Sequence, residues 1–172
     1  MLHILTIIGA RPQIIKAAAL SRAINTKFAE FINERIVHTG QHYDENMSQV
    51  FFDELEIPSP NYNLNINTGS REEQIALMVS ALERLLSKEK PSAIVLYGDT
   101  NSTKAGAEAG FNLKIPVIHI EAGLRSFNMK MPEEINRIYC DQVSSLLFSP
   151  TKAGYDNLVK ENLLKNARAF HC

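Results

Sequence analysis

Ala93-Ile94-Val95-Leu96-Tyr97-Gly98-Asp99 and Ile115-Pro116-Val117-Ile118-His119-Ile120-Glu121 are the stretches on which the fold turns. Each is a short apolar run, bounded by turn residues, of the length expected for a buried strand. Each closes on an acid. In an open parallel sheet ligands bind in the crevice outside the carboxyl ends of the strands, so acids at equivalent strand ends are more informative than acids scattered over a surface.

Outward from these runs, strands and helices alternate. Residues 2–8 and 32–38 read as strands, and residues 12–25 as a helix with Ile14, Ile15, Ala18 and Ala19 on its apolar period. Residues 45–55 read as a helix, and the Pro/Asn-rich stretch from Pro58 to Gly69 as a connector with a short strand near Leu64. The segment 70–88 carries Ile75, Met78, Val79, Leu82, Leu85 and Leu86 on one face, and opens with Ser70 and Glu73 at capping-box spacing. A small-residue helix (102–112), a helix from Glu133 to about Val143, a strand (146–149), a helix started by Thr151 and a final strand near 167–171 complete the pattern. The alternation predicts an α/β fold, a Rossmann-like parallel sheet of right-handed βαβ units with helices on both faces. Because Asn166 to Cys172 reads as a strand with no cap or polar tail after it, the chain is expected to lack a second domain.

The 172 residues suffice for one well-buried core. A net charge of -1, with no long basic run, argues against nucleic acid or an anionic membrane as partner. The apolar start, Met1 to Ile8, lacks the positive leader and cleavage site of a signal peptide and reads as the first core strand, and no apolar run approaches spanning length. Cys140 and Cys172 have neither metal-ligand nor redox spacing, which suits a cytoplasmic protein with reduced thiols.

Several residues carry candidate chemistry. Gly9-Ala10-Arg11-Pro12 reads as a strand-turn-helix junction, with Pro12 at the first helical position. A cation such as Arg11 beside the positive end of a helix dipole calls for an anion, and the free amides there favour phosphate. Lys16, one turn on, supplements it; the alternative is a solvated Arg and Lys flanking an ordinary helix. Neither a Gly-x-Gly-x-x-Gly fingerprint nor a P-loop occupies this junction. Asp99 ends a strand or, with Ser102, merely caps the next helix. Glu121 does not precede a helix start, and Arg125 or His119 is a possible structural partner for it. Pro132-Glu133-Glu134 is what a helix start commonly looks like, with Arg137 at i+4 from Glu133. Gln41 and His42 end the loop after the second strand and could face the crevice.

Gly9-Ala10-Arg11-Pro12-Gln13-Ile14-Ile15-Lys16, Thr39-Gly40-Gln41-His42-Tyr43-Asp44, Tyr97-Gly98-Asp99-Thr100-Asn101-Ser102, His119-Ile120-Glu121-Ala122-Gly123-Leu124-Arg125-Ser126 and Met131-Pro132-Glu133-Glu134-Ile135-Asn136-Arg137 closely resemble, in that order, motifs of bacterial non-hydrolysing UDP-N-acetylglucosamine 2-epimerases. The resemblance implies one half of a glycosyltransferase-B-type two-domain fold, the amino-terminal half, and a homodimer when full length. It also implies interconversion of UDP-N-acetylglucosamine and UDP-N-acetylmannosamine for surface polysaccharide precursors. By motif position, Asp99, Glu121 and Glu133 are the acid/base carboxylates, Arg11 and Lys16 lie on the substrate-phosphate side, and Gln41, His42, Arg125 and Arg137 complete the substrate-binding set. The family's catalytic-site histidine and most uridine contacts belong to the second domain. Nothing in this scheme calls for NAD or a metal.

The chemistry agrees with that assignment. The C2 hydrogen of the sugar is not next to a carbonyl, so direct deprotonation yields no stabilised carbanion. Loss of UDP from C1 with removal of the C2 proton gives a 2-acetamidoglucal, and re-addition with protonation of the other face inverts C2. This route needs acid/base groups on both faces, stabilisation of the leaving diphosphate and retention of the intermediate. Departures from the family pattern are Gln13, where many relatives have Glu, and Tyr43-Asp44, where some bind an activating UDP-N-acetylglucosamine. Both resemble a branch that includes epimerases for modified UDP-sugars. The remaining alternatives are a hydrolysing epimerase, a glycosyltransferase of the same fold, or a non-catalytic nucleotide-sugar-binding domain.

Overall fold

A computed structural model of the chain describes residues 1–41 and 58–172. The expected helix over residues 45–55, together with His42, Tyr43 and Asp44, lies outside the described residues. Strands β1 (Leu2–Ile8), β2 (Ile32–His38), β3 (Tyr62–Asn63), β4 (Ala93–Tyr97), β5 (Val117–Ile120), β6 (Leu146–Ser149) and β7 (Arg168–His171) form one sheet in the order β3-β2-β1-β4-β5-β6-β7. Every pairing is parallel. The helices are α1 (Arg11–Ala23), α2 (Arg71–Glu89), α3 (Asn101–Asn112), α4 (Pro132–Val143) and α5 (Lys152–Lys160). Because β1 is flanked by β2 and β4, the chain reverses its direction of winding there, and the crevice at their carboxyl ends is the topological switch point.

Alternation along the strands sorts the core. Leu5, Ile7, Ile94, Leu96 and Val117 point to one face, where they meet Met78, Val79, Leu82 and Leu86 of α2 and the small residues Ala105, Ala107 and Ala109 of α3. Small residues let α3 lie close: a Cβ on Gly106 would come within 2.5 Å of Leu96 Cδ2. Ile4, Ile8, Val95 and Tyr97 point the other way, against Ile14, Ala17 and Ala18 of α1. The α1 face thus runs through 14, 17 and 18 to Ser21, while Ile15, expected inside, is half exposed. The run of small and apolar residues fits two registers, and contact with β1 selects one. Beyond α1, Ile118, Ile120, Leu146 and Phe148 line an apolar groove of about 690 Å³ on the same face.

The starts of α2 and α5 fold as their sequences predict. Ser70 Oγ accepts from Glu73 N and Glu73 Oε2 accepts from Ser70 N, closing the capping box of α2. Thr151 Oγ1 caps α5 by accepting from Gly154 N at 3.0 Å. Cys140 is buried, Cys172 exposed, and both are free thiols. Among the described residues no helix is long and apolar enough to cross a membrane.

Candidate functional site

The crevice is built from the ends of β1, β2, β4 and β5, brought together by close packing. A Cβ on Gly9 would sit 2.0 Å from Ser102 Oγ and 2.3 Å from Thr39 Oγ1, so only glycine lets the turn after β1 approach β2 and α3 this closely. Gln13 locks the junction. Buried on the first turn of α1, it accepts from Gly9 N (2.8 Å) and Ala10 N (3.1 Å) and donates to Tyr97 O (2.9 Å) and Thr103 Oγ1 (3.0 Å). A carboxylate here has no hydrogen to give Tyr97 O, so the amide ties β1 to β4 in a way an ionised Glu cannot. Gln41, expected in the crevice, accepts from both Ser102 N (2.9 Å) and Ser102 Oγ (2.7 Å) and so joins the loop after β2 to the start of α3.

β4 ends at Tyr97, because Gly98 turns the backbone left-handed (φ +64°), and Asp99 follows in the turn. Capping of α3 falls to Thr100, whose Oγ1 accepts from Thr103 N, rather than to Asp99 or Ser102. Asp99 is thereby released to pair with Arg137 Nη2 at 2.7 Å. Burial raises the Asp99 pKa, Glu121 and Glu133 raise it further, and Arg137 and Lys16 only partly oppose them. Glu121 also leaves its strand in the left-handed region, at φ +75°. For a residue with a Cβ this costs about 1–2 kcal/mol, and such outliers concentrate where side chains must be aimed. Glu121 is aimed at two cations: Lys16 Nζ donates to Oε2, and Arg137 Nη2 lies 3.6 Å from Oε1. These partners replace His119 and Arg125, the ones read from the sequence.

Arg137 is thus the bridge between the two strand-end acids instead of the i+4 partner of Glu133, and its buried Nε has no hydrogen-bond partner among the described residues. Glu133 is exposed on the first turn of α4, close enough to raise Asp99. Its neighbour Glu134, which sequence reading passed over, is buried and accepts from Ser126 N and Phe127 N, each at 2.9 Å. Burial pushes its carboxyl up, but those amides outweigh burial and hold it below the usual range. The signal was present in the paired acids of Pro132-Glu133-Glu134, which helical periodicity assigns to different directions. Arg11 occupies the first position of α1, exposed, with Pro12 second, one place later than read and still where an amide hydrogen lacks a helical partner.

Behind the crevice lies a second, buried set of charges. His119 Nδ1 is 2.7 Å from Asp141 Oδ1 and its Nε2 is 2.8 Å from Gly98 O. Asp141 Oδ2 accepts from Gly123 N (3.0 Å) and from Arg125 Nη1 (2.8 Å), and Arg125 also donates to both Glu161 oxygens, at 2.8 and 2.7 Å. The Arg125 side chain is 1% exposed, so it stands among these partners and outside the group formed by Asp99, Glu121, Lys16 and Arg137. Burial disfavours charge on His119, but Cys140 and Asp141 outweigh it and raise its pKa well above 6.5. Burial likewise pushes Asp141 up, and His119 and Arg125 reverse that and hold it low.

Acids at the switch point, one with raised proton affinity, next to cations and a helix start, suit proton transfer on an anionic substrate. Comparison with known proteins identifies the family. Residues 25–168 match the family model of UDP-N-acetylglucosamine 2-epimerase. The chain is 54% identical over 166 residues to the UDP-2,3-diacetamido-2,3-dideoxy-D-glucuronate 2-epimerase of Pseudomonas aeruginosa, covering 96% of this chain and 46% of that protein. It is 48% identical over 160 residues to the UDP-N-acetylglucosamine 2-epimerase of Methanocaldococcus jannaschii, covering 93% and 43% respectively. The crystal structure of a Methanocaldococcus jannaschii UDP-GlcNAc 2-epimerase in complex with UDP-GlcNAc and UDP superposes with a TM-score of 0.93 at 46% identity, over 99% of this chain and 46% of that one. The chain therefore spans about half the length of the relatives it matches. The Rossmann-like parallel sheet expected from the sequence is the fold of these glycosyltransferase-B-type structures, and the chain belongs to the UDP-N-acetylglucosamine 2-epimerase family.

Proposed function

We propose that the chain is the amino-terminal catalytic half of a non-hydrolysing UDP-N-acetylglucosamine 2-epimerase, working by elimination and re-addition of UDP in the synthesis of surface polysaccharide precursors. The observation that carries the reading is the pairing of Asp99 and Glu121 across Arg137 at the switch point, with Lys16 on the far side of Glu121. Taking the C2 proton needs a base, and returning one needs an acid. A carboxyl held protonated toward higher pH by burial and like charges, as Asp99 is, can donate, while a neighbour set between two cations can accept. Lys16 and Arg11, at the start of α1, meet the diphosphate as its charge grows on leaving C1, and Glu133, the third carboxylate of the motifs, acts on this pair through its charge.

A second domain, absent from these residues, supplies the opposite wall that excludes water and retains the glucal. The 172-residue chain alone is expected to fold and to show no turnover; robust epimerisation by it would overturn the two-wall reading. The homodimer and the cytoplasmic setting belong to the same proposal, and sedimentation of the full-length protein checks the dimer. The identity of 54% to the Pseudomonas aeruginosa enzyme favours a modified sugar as a second reading. Offering the full-length protein UDP-N-acetylglucosamine and UDP-2,3-diacetamido-2,3-dideoxy-D-glucuronate in deuterated water, with products followed by NMR, separates the two. An intact UDP-sugar inverted at C2 and deuterated there supports elimination; released UDP with free sugar identifies a hydrolysing enzyme. Arg11→Ala should weaken binding of the productive UDP-sugar and slow turnover through loss of a charge-assisted contact worth about 1.5–3 kcal/mol, and unchanged constants would leave Arg11 a solvated residue.

A further inference from the structure

The segments that carry Asp99 and Glu121 both leave their strands through left-handed residues: Gly98 at +64° directly before Asp99, and Glu121 at +75° with Gly123 at +80° two residues later. Turns of this kind aim a side chain only if something holds them, since ordinary loops at strand ends are the most mobile part of such a fold. Both turns are held from behind by the same pair of side chains. His119 donates through Nε2 to the carbonyl of Gly98, and Asp141, bonded to the other ring nitrogen, accepts from the amide of Gly123. Arg125 then braces Asp141, and Glu161 on the edge of α5 braces Arg125 in a bidentate contact. The charges alternate along this row, and its inner members are shut away from water.

We propose that His119 and Asp141, braced by Arg125, are positioning residues that lock the Gly98–Asp99 turn to the Glu121–Gly123 turn and so set the separation of the two reacting carboxylates. This inference rests on the acid/base reading of Asp99 and Glu121. A ring whose two nitrogens both face acceptors must carry both hydrogens, or one contact becomes oxygen lone pair against nitrogen lone pair. The doubly protonated ring is therefore the locking form, and its charge-assisted bond to Gly98 O is stronger than a neutral one. Asn136 Nδ2 donates to Asp99 O at 2.9 Å, so the turn is gripped on both sides of its bend, at Gly98 O by β5 and at Asp99 O by α4. His119, Asp141 and Arg125 act from beneath the crevice, with at most 1% of their side chains exposed.

Two measurements decide it. In the 172-residue chain labelled with ¹⁵N and ¹³C, His119 should show hydrogens on both ring nitrogens at about pH 8, above the ordinary imidazole value, with a scalar coupling across the hydrogen bond from Nε2 to the Gly98 carbonyl carbon. A neutral ring titrating in the usual range, or absence of that coupling in a resolved spectrum, would overturn the lock without reference to activity. In the full-length enzyme, His119→Gln, which keeps one donor toward Gly98, should lower kcat on the order of 10- to 100-fold through misplacement of the carboxylates. KM for the UDP-sugar should stay within about twofold. His119→Leu, with no donor, should fall further. Loss of thermal stability with kcat unchanged in His119→Gln would reduce the row to a scaffold and sink the inference. Asp99→Asn run beside it separates the premise: if that variant turns over normally the acid/base reading fails, whatever His119 does. Should neither His119 variant fold, the coupling measurement on the unaltered chain stands as the test.

Discussion

Two rows of alternating charge meet at the carboxyl ends of β4 and β5, and they differ in access to water. Lys16, Glu121, Arg137 and Asp99 stand in the crevice with 12–40% of each side chain exposed, whereas Arg125, Asp141 and His119 are sealed beneath. In the sealed row the polar contacts are closed within the protein. In the open row a cation spans two acids, Arg137 Nε has no partner among the described residues, and Asp99 holds its proton more tightly than an ordinary aspartate. The difference teaches that charge alone does not mark a reactive group: the same residue types are satisfied and buried in one row, and in the other are left partly solvated, where an acid is a candidate for proton exchange.

Conservative replacements should separate the rows most sharply through rate. In the full-length protein Asp99→Asn and Glu121→Gln keep shape but cannot exchange a proton, so turnover should fall 10²–10⁴-fold, roughly 3–5 kcal/mol, with near-native melting. Near-normal turnover in either variant removes that residue from the catalytic set. The sealed row should answer in stability instead. Asp141→Ala leaves the Arg125 charge and the His119 ring buried without their shared acceptor, and denaturant unfolding of the chain should show a loss of about 3–5 kcal/mol. A loss under about 1 kcal/mol would mean that the row contributes little to holding the sheet.

The contrast between the rows also shows what the sequence could and could not disclose. Strand ends and helix starts were legible because periodicity and turn residues are local: Ser70 with Glu73, Thr151, and the acids closing the β4 and β5 runs lie where they were read. What was not legible is pairing across the sheet. Arg125 and Arg137 both follow an acid within a motif, and nothing in spacing says that one turns inward to Asp141 while the other reaches out to Asp99. That choice depends on which face of β5 the Gly123 turn presents, a tertiary outcome. The roles of Gln13 and Glu134 were hidden for the same reason, since each satisfies backbone amides of a neighbouring turn.

Acid titration gives the two rows opposite signs. Asp141 has its folded pKa depressed, so its contribution is present above the unfolded aspartate value of about 3.9 and is lost as pH falls through the folded value. Asp99 has its folded pKa raised, so its ionisation costs stability above that range and costs nothing once both states are protonated. Measured against the unaltered chain by denaturant unfolding at several pH values, Asp141→Asn should be destabilising at pH 7 and converge toward the parent in acid. Asp99→Asn should be neutral to stabilising at pH 7, within about 1 kcal/mol, and its difference should also shrink in acid. The same sign for both variants at neutral pH would erase the distinction drawn between open and sealed charges.

Glu133 provides the finest test, because it belongs to neither row. It is exposed on α4, and its effect on the crevice is exerted through charge, as one of the groups raising Asp99. Acids in a first helical turn complement the helix dipole, so Glu133→Gln should cost only about 0.3–1 kcal/mol of stability. Its larger effect should be on its neighbour. With the charge removed, Arg137 and Lys16 meet less opposition, and the Asp99 midpoint followed by ¹³C NMR of the carboxyl carbon should move downward. An Asp99 donor that ionises earlier is less available as pH rises, so the alkaline limb of turnover in the full-length enzyme should shift to lower pH together with that midpoint. If turnover instead collapses at every pH, Glu133 exchanges a proton itself and joins Asp99 and Glu121 as a reacting group. If neither the Asp99 midpoint nor the rate profile moves, Glu133 is a helix-start acid, and proton transfer in this half of the cleft rests on the two strand-end carboxylates.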